Sequence, residues 1–297
     1  MIYDCFLFND ELDLLQLRLQ FLDDAVDKFV IVESERTISG QLKPLHFHKN
    51  QERFKKFLPR IIHLVAPVND LSAWDYEFFQ RNYIKQALQS CADDDIIIIS
   101  DADEIVNIKD IRSLPGFHTP VLAELPMYYY FLNLKSNAKF RVNMIAEWSF
   151  MKDKDWGNRN EIFPKLTNNI IIEKTVNTGW HFSYLFGTDI KKYQEKISSF
   201  SHQEYYNPYY LNEKRIERCI NLGIDLFERP FMKFNRDDKS IESLLPFINE
   251  SALELLLFSP SFKDRLSPGN IFFILQKKYL PRIKHKVKKI FNSKPVK

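Results

Sequence analysis

Apolar residues arrive in short unbroken runs, separated by stretches with helical spacing. Ile2–Phe8 is such a run and predicts a strand. Leu12, Leu15, Leu19 and Leu22 then recur at helical intervals, predicting a helix over Glu11–Asp24 capped by Asn9 or Asp10. Lys28–Val32 is β-branched and aromatic, a buried strand ending at Glu33. A helix over Gln51–Phe57, a strand over Arg60–Val65 and a long helix over Ser72–Ser90 follow. Asp95–Ser100 reads DIIIIS, the pattern of a central strand covered on both faces. Val121–Phe131 predicts a further strand. This alternation predicts an α/β fold: a Rossmann-like, open, mostly parallel sheet flanked by helices, binding ligands beyond the carboxyl ends of its strands. The second half is less regular. It predicts strands at Phe140–Phe150 and Ile170–Glu173, and helices at Thr188–Phe200, Asn212–Leu222 and Pro246–Leu257.

Composition narrows the class. The chain has 297 residues, 45% hydrophobic and 27% charged, which excludes a disordered or collagen-like protein. With 26 Phe against 7 Gly it does not favour a glycine-rich phosphate loop. Cys5, Cys91 and Cys219 are too far apart for a cysteine zinc site or a disulfide framework, which fits a reducing compartment. The opening MIYDCFLFNDELDLL lacks the basic start of a signal peptide, and no apolar run approaches the ~18 residues of a membrane span. A soluble, cytoplasmic protein is expected. Residues 277–297 carry nine Lys/Arg and no acid, leaving 33 basic against 39 acidic residues elsewhere. Such a tail, with Tyr279, Leu280, Ile283, Val287, Ile290 and Phe291 near helical spacing, suits peripheral contact with the inner membrane face. Basic residues gathered in one tail without a recognised module do not indicate nucleic-acid binding.

The sharpest chemical signal is SDADEI, residues 100–105. Asp101, Asp103 and Glu104 emerge where the isoleucine strand ends, and clustered carboxylates require positive charge nearby. Asp101 and Asp103, alternating in extended geometry, reach one side together and offer oxygen ligands suited to Mg²⁺ or Mn²⁺ and a bound diphosphate. Glu33 closes the second strand facing the same crevice. Arg81, on the long helix, is a bidentate donor for a diphosphate, while Trp74, Phe78 and Tyr83 are expected to pack on the sheet. In NTGWHFSYLFG, His181 is a further metal ligand and Trp180 a surface for stacking on a sugar.

Four stretches in order, FNDELDLLQLRL, DKFVIVESERTISGQLKPLHF, DDIIIISDADEI and GWHFSYLFG, resemble glycosyltransferase family 17 and span residues 1 to about 205. The resemblance implies a GT-A-like domain at 1–205, followed by a helical extension at 206–276 and the basic tail at 277–297. It implies a metal-dependent, inverting enzyme that moves a sugar, GlcNAc, from a UDP-linked donor to a glycan or glycolipid acceptor. By the same match Asp101 and Asp103 are the DxD acids, Glu33, Ser34 and Thr37 belong to the donor pocket with Arg81, and Gly179, Trp180 and His181 form the GWH element. Inversion needs a carboxylate base. Candidates are Glu161, Asp153, Asp155 and Glu204, with Glu161 preferred and Asp103 and Glu104 completing the catalytic acids. Lys165 and Arg159 are candidate phosphate contacts. Two alternatives use other chemistry: a metal-dependent phosphoesterase or nucleotidyltransferase acting through the same acids, and a non-catalytic carbohydrate-binding protein using Trp74, Trp148, Trp156 and Trp180.

Overall fold

The structure is a computed structural model, and it describes residues 1–109, 121–159, 179–229, 231–248 and 256–258, with Asn270, Phe273 and Lys277. Among these, nine strands form one sheet in the order β3-β2-β1-β4-β7-β6-β8-β5, with β9 paired to β7. The strands are β1 (Ile2–Leu7), β2 (Lys28–Glu33), β3 (Ile61–Val65), β4 (Ile96–Ile99), β5 (Glu104–Val106), β6 (Val121–Tyr129), β7 (Leu134–Glu147), β8 (Gly179–Ser183) and β9 (Phe234–Arg236). The helices are α1 (Leu12–Phe21), α2 (His46–Lys49), α3 (Ala73–Tyr83), α4 (Trp148–Met151), α5 (Ile190–Ser199) and α6 (Glu213–Leu222).

The β3-β2-β1-β4 half is wholly parallel. Strands β1, β2 and β4 are buried on both faces because alternate residues feed two cores, while β3 is a half-exposed edge strand. Phe6, Phe29, Ile31, Ile96 and Ile98 pack toward Leu15 and Leu19 of α1. Cys5, Val30, Val32, Ile97 and Ile99 pack toward Ile84, Leu88 and Trp156. The other half departs from the expected parallel sheet: β4·β7, β6·β7, β5·β8 and β7·β9 are antiparallel, and β6·β8 is parallel. The short turn between β6 and β7 permits only a hairpin.

Several element ends differ from expectation for identifiable reasons. The helix expected over Ser72–Ser90 tightens into a 3₁₀ turn at Ile84–Ala87. Residues 51–60 form 3₁₀ turns around Pro59 rather than a helix. β7 begins earlier than expected and gives way to α4, where the N–H groups of Trp148 and Ser149 bond to the carbonyls of Asp95 and Asp93 at 2.7 and 2.9 Å. Lys239–Phe247 is 3₁₀, with Pro246 near its end, where a helix was expected to begin. The strand expected at Ile170–Glu173, residues 249–255 of the helix expected over Pro246–Leu257, and residues 278–297 lie outside the described residues. No helix among the described residues is long and apolar enough to cross a membrane.

A third core joins β6, β8, α5 and α6. Tyr130, Tyr193, Ile197, Ile216, Cys219, Ile220, Leu226 and Phe227 meet there, so the chain beyond residue 205 shares a core with the sheet. α6 is well delimited: the Asn212 side chain accepts from the N–H of Arg215 at 3.0 Å, and Gly223 ends the helix at φ 59°.

Candidate active site

A cleft of ≈ 500 Å³ opens beyond the carboxyl ends of β1 and β4. Asp101, Asp103, Glu104, Arg81, Arg159 and His181 line it. The acidic segment is a turn rather than extended chain: the N–H of Glu104 bonds to the carbonyl of Asp101 at 3.0 Å, and the N–H of Asp101 donates to the Glu104 carboxylate at 2.7 Å. One fully buried residue supports the turn from behind. Arg18 of α1 donates to the carbonyls of Asp101 and Glu104 at 2.7 and 3.0 Å and to Ser100 Oγ at 2.5 Å. The same guanidinium pairs with buried Asp4 at 2.6 Å.

The three acids have separate surroundings. Asp101 accepts from Arg159 and, at 3.4 Å, from Arg81. Burial acts to raise its carboxyl, but Arg159 and then Arg81 outweigh it and hold the pKa at about 2. Glu104 is fully buried and takes Arg159 at 2.8 Å. Asp103 lacks a guanidinium partner. Its nearest cationic partner is His181, at 3.8 Å, and burial raises its carboxyl above the ordinary range because His181 and Lys196 offset only part of the desolvation.

Among the described residues, the acids and imidazole that could hold a divalent cation together are at Asp103. Asp103, Glu104 and His181 each place one ligand atom within 4.8 Å of the others. Among the described residues His181 Nδ1 is buried without a hydrogen-bond partner, and Asp103 is a half-buried carboxylate without a guanidinium partner. Oxygen and imidazole donors suit Mn²⁺ or Mg²⁺. Of the expected ligands Asp101, Asp103 and His181, the structure brings the last two together. Asp101 and Glu104 are both tied to Arg159, and Glu104 lies within 4.8 Å of the other two.

β8 explains the GWH element. Period-two alternation turns His181 and Ser183 to the cleft and Trp180 and Phe182 to the α1 core. Trp180 packs edge-on against Phe21 at 5.1 Å and donates to the carbonyl of Ser240 at 2.9 Å, so it is not a sugar platform. Gly179 has φ 135°, and a Cβ there would lie 1.9 Å from the carbonyl oxygen of Ile105. Only glycine lets β8 approach β5 so closely.

Glu33 does not reach the cleft. Its buried carboxylate accepts from the N–H of Phe47 at 3.0 Å and lies 3.3 Å from His63 Nε2, fixing α2 to the sheet. Ser34 pairs with the Tyr76 hydroxyl at 2.5 Å, and Thr37 Oγ1 accepts from the N–H of Gln41 at 3.0 Å. These residues shape the loop, while its Arg36 and Ile38 line the cleft. Arg36 Nε is buried without a partner. Arg81 is in the cleft wall, but it also donates to Glu77 at 2.6 Å and the carbonyl of Gly157 at 2.5 Å.

Trp74 is 41% exposed at the cleft, against His202 at 4.9 Å, not packed on the sheet as expected. Trp148, Trp156 and Trp180 are buried, which leaves a tryptophan-based binding surface with one member. Asp155 is engaged by the Asn82 side chain at 2.6 Å and the N–H of Gly157 at 2.9 Å. Glu204 bonds to His202 Nδ1 at 2.8 Å, and His202 lines the cleft. Glu161 and Lys165 lie outside the described residues.

Arg159, expected as a phosphate contact, clamps Asp101 and Glu104 instead. Lys196 and Arg229 also line the cleft and were not anticipated. Lys196 had a legible signal: it lies three residues after Tyr193 and one before Ile197, a charge on the apolar face of α5. It bonds to Glu11 at 2.9 Å, and Glu11 also accepts from the N–H groups of Asn9 and Asp10; neither Asn9 nor Asp10 caps α1, which carries no side-chain cap.

A sequence model of glycosyltransferase family 17 matches residues 1–235, reaching past the stretches that carried the resemblance. The β-1,4-mannosyl-glycoprotein 4-β-N-acetylglucosaminyltransferase of Homo sapiens is 32% identical over 107 residues, covering 33% of this chain and 20% of that protein. The Mus musculus enzyme of the same name is 31% identical over the same shares. The aligned part thus spans about a fifth of the length of the curated relatives. A Francisella tularensis 2-C-methyl-D-erythritol 4-phosphate cytidylyltransferase aligns in structure over 55% of this chain and 87% of its own, at 10% identity and a TM-score of 0.28, which carries no argument. The match over residues 1–235 takes in the acidic turn, the GWH strand and the cleft between them: the chain belongs to glycosyltransferase family 17.

Proposed function

We propose that the protein transfers GlcNAc from UDP-GlcNAc to a hydroxyl of a glycan or glycolipid acceptor, with inversion, in a GT-A-like site that uses Mn²⁺ or Mg²⁺. The observation that carries this reading is Asp103, met by no guanidinium among the described residues, beside His181 in a cleft that Arg36, Lys43, Arg81, Arg159, Lys196 and Arg229 also line. Asp103 and His181, with Glu104, are the residues that would hold the ion, and when bound it would supply Lewis-acid stabilisation of the departing diphosphate. Arg159 and Arg18 keep the acidic turn in one geometry, so the site needs no reorganisation to bind the donor. Arg36, with a free Nε, and Lys43 are placed to meet donor phosphate oxygens. Of the expected bases, Glu204 is best placed among the described residues. It fixes His202 by Nδ1 and leaves Nε2 to accept the acceptor's hydroxyl proton.

Calorimetric titration of UDP-GlcNAc, with Mn²⁺ or with EDTA, into wild type and Asp103→Ala tests the reading. Expected is metal-dependent binding, weakened at least about tenfold in the variant. Equal affinity with EDTA and in the folded variant would overturn it.

A further inference from the structure

A second cavity, of ≈ 290 Å³, lies on the α1 side of the acidic turn. The larger part of its wall is apolar, from Leu12, Leu14 and Leu17 of α1, Phe182 of β8, and Leu185 and Phe186 just beyond it, while Asp10, Asp13, Gln16, Arg53, Asp189 and Lys192 also line it. Glu11, Asp103, Tyr184 and Lys196 line both this cavity and the active-site cleft, so the two spaces share one polar wall. That wall contains an unanswered group. Tyr184 is 6% exposed, and its hydroxyl has no hydrogen-bond partner among the described residues. A buried hydroxyl without a partner costs about 1–3 kcal/mol. Tyr184 also holds φ 56°, a left-handed conformation unfavourable for a bulky side chain. Costs of this kind concentrate where a ligand is bound.

We propose that the second cavity is the acceptor's anchoring subsite: it takes an apolar alkyl or aryl group joined to the acceptor sugar, and Tyr184 Oη hydrogen-bonds the sugar at the junction. The proposal rests on the transferase reading above and adds the acceptor's chemical class. An apolar group seated between α1 and Phe186 brings the sugar bonded to it to the shared wall, beside Asp103 and the donor cleft. A purely polar oligosaccharide would leave these leucines and phenylalanines without a partner. A cavity this size is close to the lower bound of small-molecule sites, about 300 Å³, and holds a short chain or one ring.

The test compares n-octyl with methyl β-D-glucopyranoside, below micelle-forming concentrations, titrated into Mn²⁺- and UDP-loaded protein. The shared sugar cancels and the difference reads the apolar group alone. Wild type should bind the octyl glucoside more than tenfold tighter. Leu185→Trp, at a half-buried position that tolerates a larger side chain, should erase the difference by filling the cavity. Leu12→Trp, also half-buried, is the second filling variant should the first fail to fold. Tyr184→Phe should weaken both glucosides about fivefold, the value of one hydrogen bond, and keep the octyl preference. Equal binding of the two glucosides in wild type overturns the proposal, as does an octyl preference that survives cavity filling, the mark of adventitious detergent contact. UDP binding in wild type, measured in the same titration series, separates the readings. If UDP binds with Mn²⁺ and the octyl preference is absent, the anchoring subsite fails while the transferase reading stands. If UDP itself does not bind, the failure lies with the transferase reading.

Discussion

Arg18 carries more of the site's geometry than any acid does. It is fully buried, pairs with Asp4, and bonds four oxygens of the segment Ser100–Glu104. Replacing it by methionine leaves Asp4 buried and unpaired and releases the carbonyls of the turn. Removing one partner of a buried ion pair costs about 3–5 kcal/mol. Arg18→Met should lower the urea unfolding free energy by that amount, and a loss under about 1 kcal/mol would show that the network is not a strut. Trp180 makes a contrasting case. Its side chain packs between Phe21 and Phe182, so Trp180→Ala should cost about 3–5 kcal/mol of stability, read in the same urea titration. Donor affinity of the folded fraction should stay near wild type, and a selective loss of donor binding would return Trp180 to the site.

At the scale of elements, the pair Glu11–Lys196 ties the start of α1 to α5 across the cleft. Burial acts to raise the Glu11 carboxyl, yet Lys196 and the neighbouring N–H groups bring it from the ordinary 4.5 to about 2. A depressed carboxyl contributes stability that is fully present above pH 4.5 and is lost as the pH falls toward 2. Lys196→Met removes the depressing charge and leaves the burial. The midpoint of acid unfolding, followed by circular dichroism, should then move to higher pH; an unchanged midpoint would mean that the pair does not couple the two helices. Strand alternation acts at the same scale. In β8 it sends His181 to the cleft and Trp180 to the core, a division visible in GWHFS only once the segment is known to be a strand.

At the scale of the whole molecule, residues 206–229 complete a core begun by β6, β8 and α5. Ile216, Cys219, Ile220, Leu226 and Phe227 are buried there against Tyr130, Tyr193 and Ile197. Each large apolar side chain contributes about 1.5–3 kcal/mol, and together they rival the 5–15 kcal/mol by which a domain is stable. A chain ended after residue 205 should therefore bind a hydrophobic dye and show no cooperative thermal transition. A sharp transition in that shortened chain would make 206–229 a separable extension. The family match to residue 235 agrees with the shared core.

The βαβ order, the central isoleucine strand and the cluster of acids at its end were legible along the chain, because each depends on local period and on neighbours in sequence. The same holds for Asn212 and Gly223 at the ends of α6. Which acid is left without an arginine was not legible. Asp101 and Asp103 look alike in SDADEI, and only the arrival of Arg81 and Arg159 from distant elements neutralises one and leaves the other beside His181. Glu33 likewise reads as a cleft acid until the N–H groups of α2 and His63 close around it. Local pattern determines strands, helices and their order. The charge state and exposure of a side chain depend on partners tens of residues away, and those are set only when the sheet is assembled.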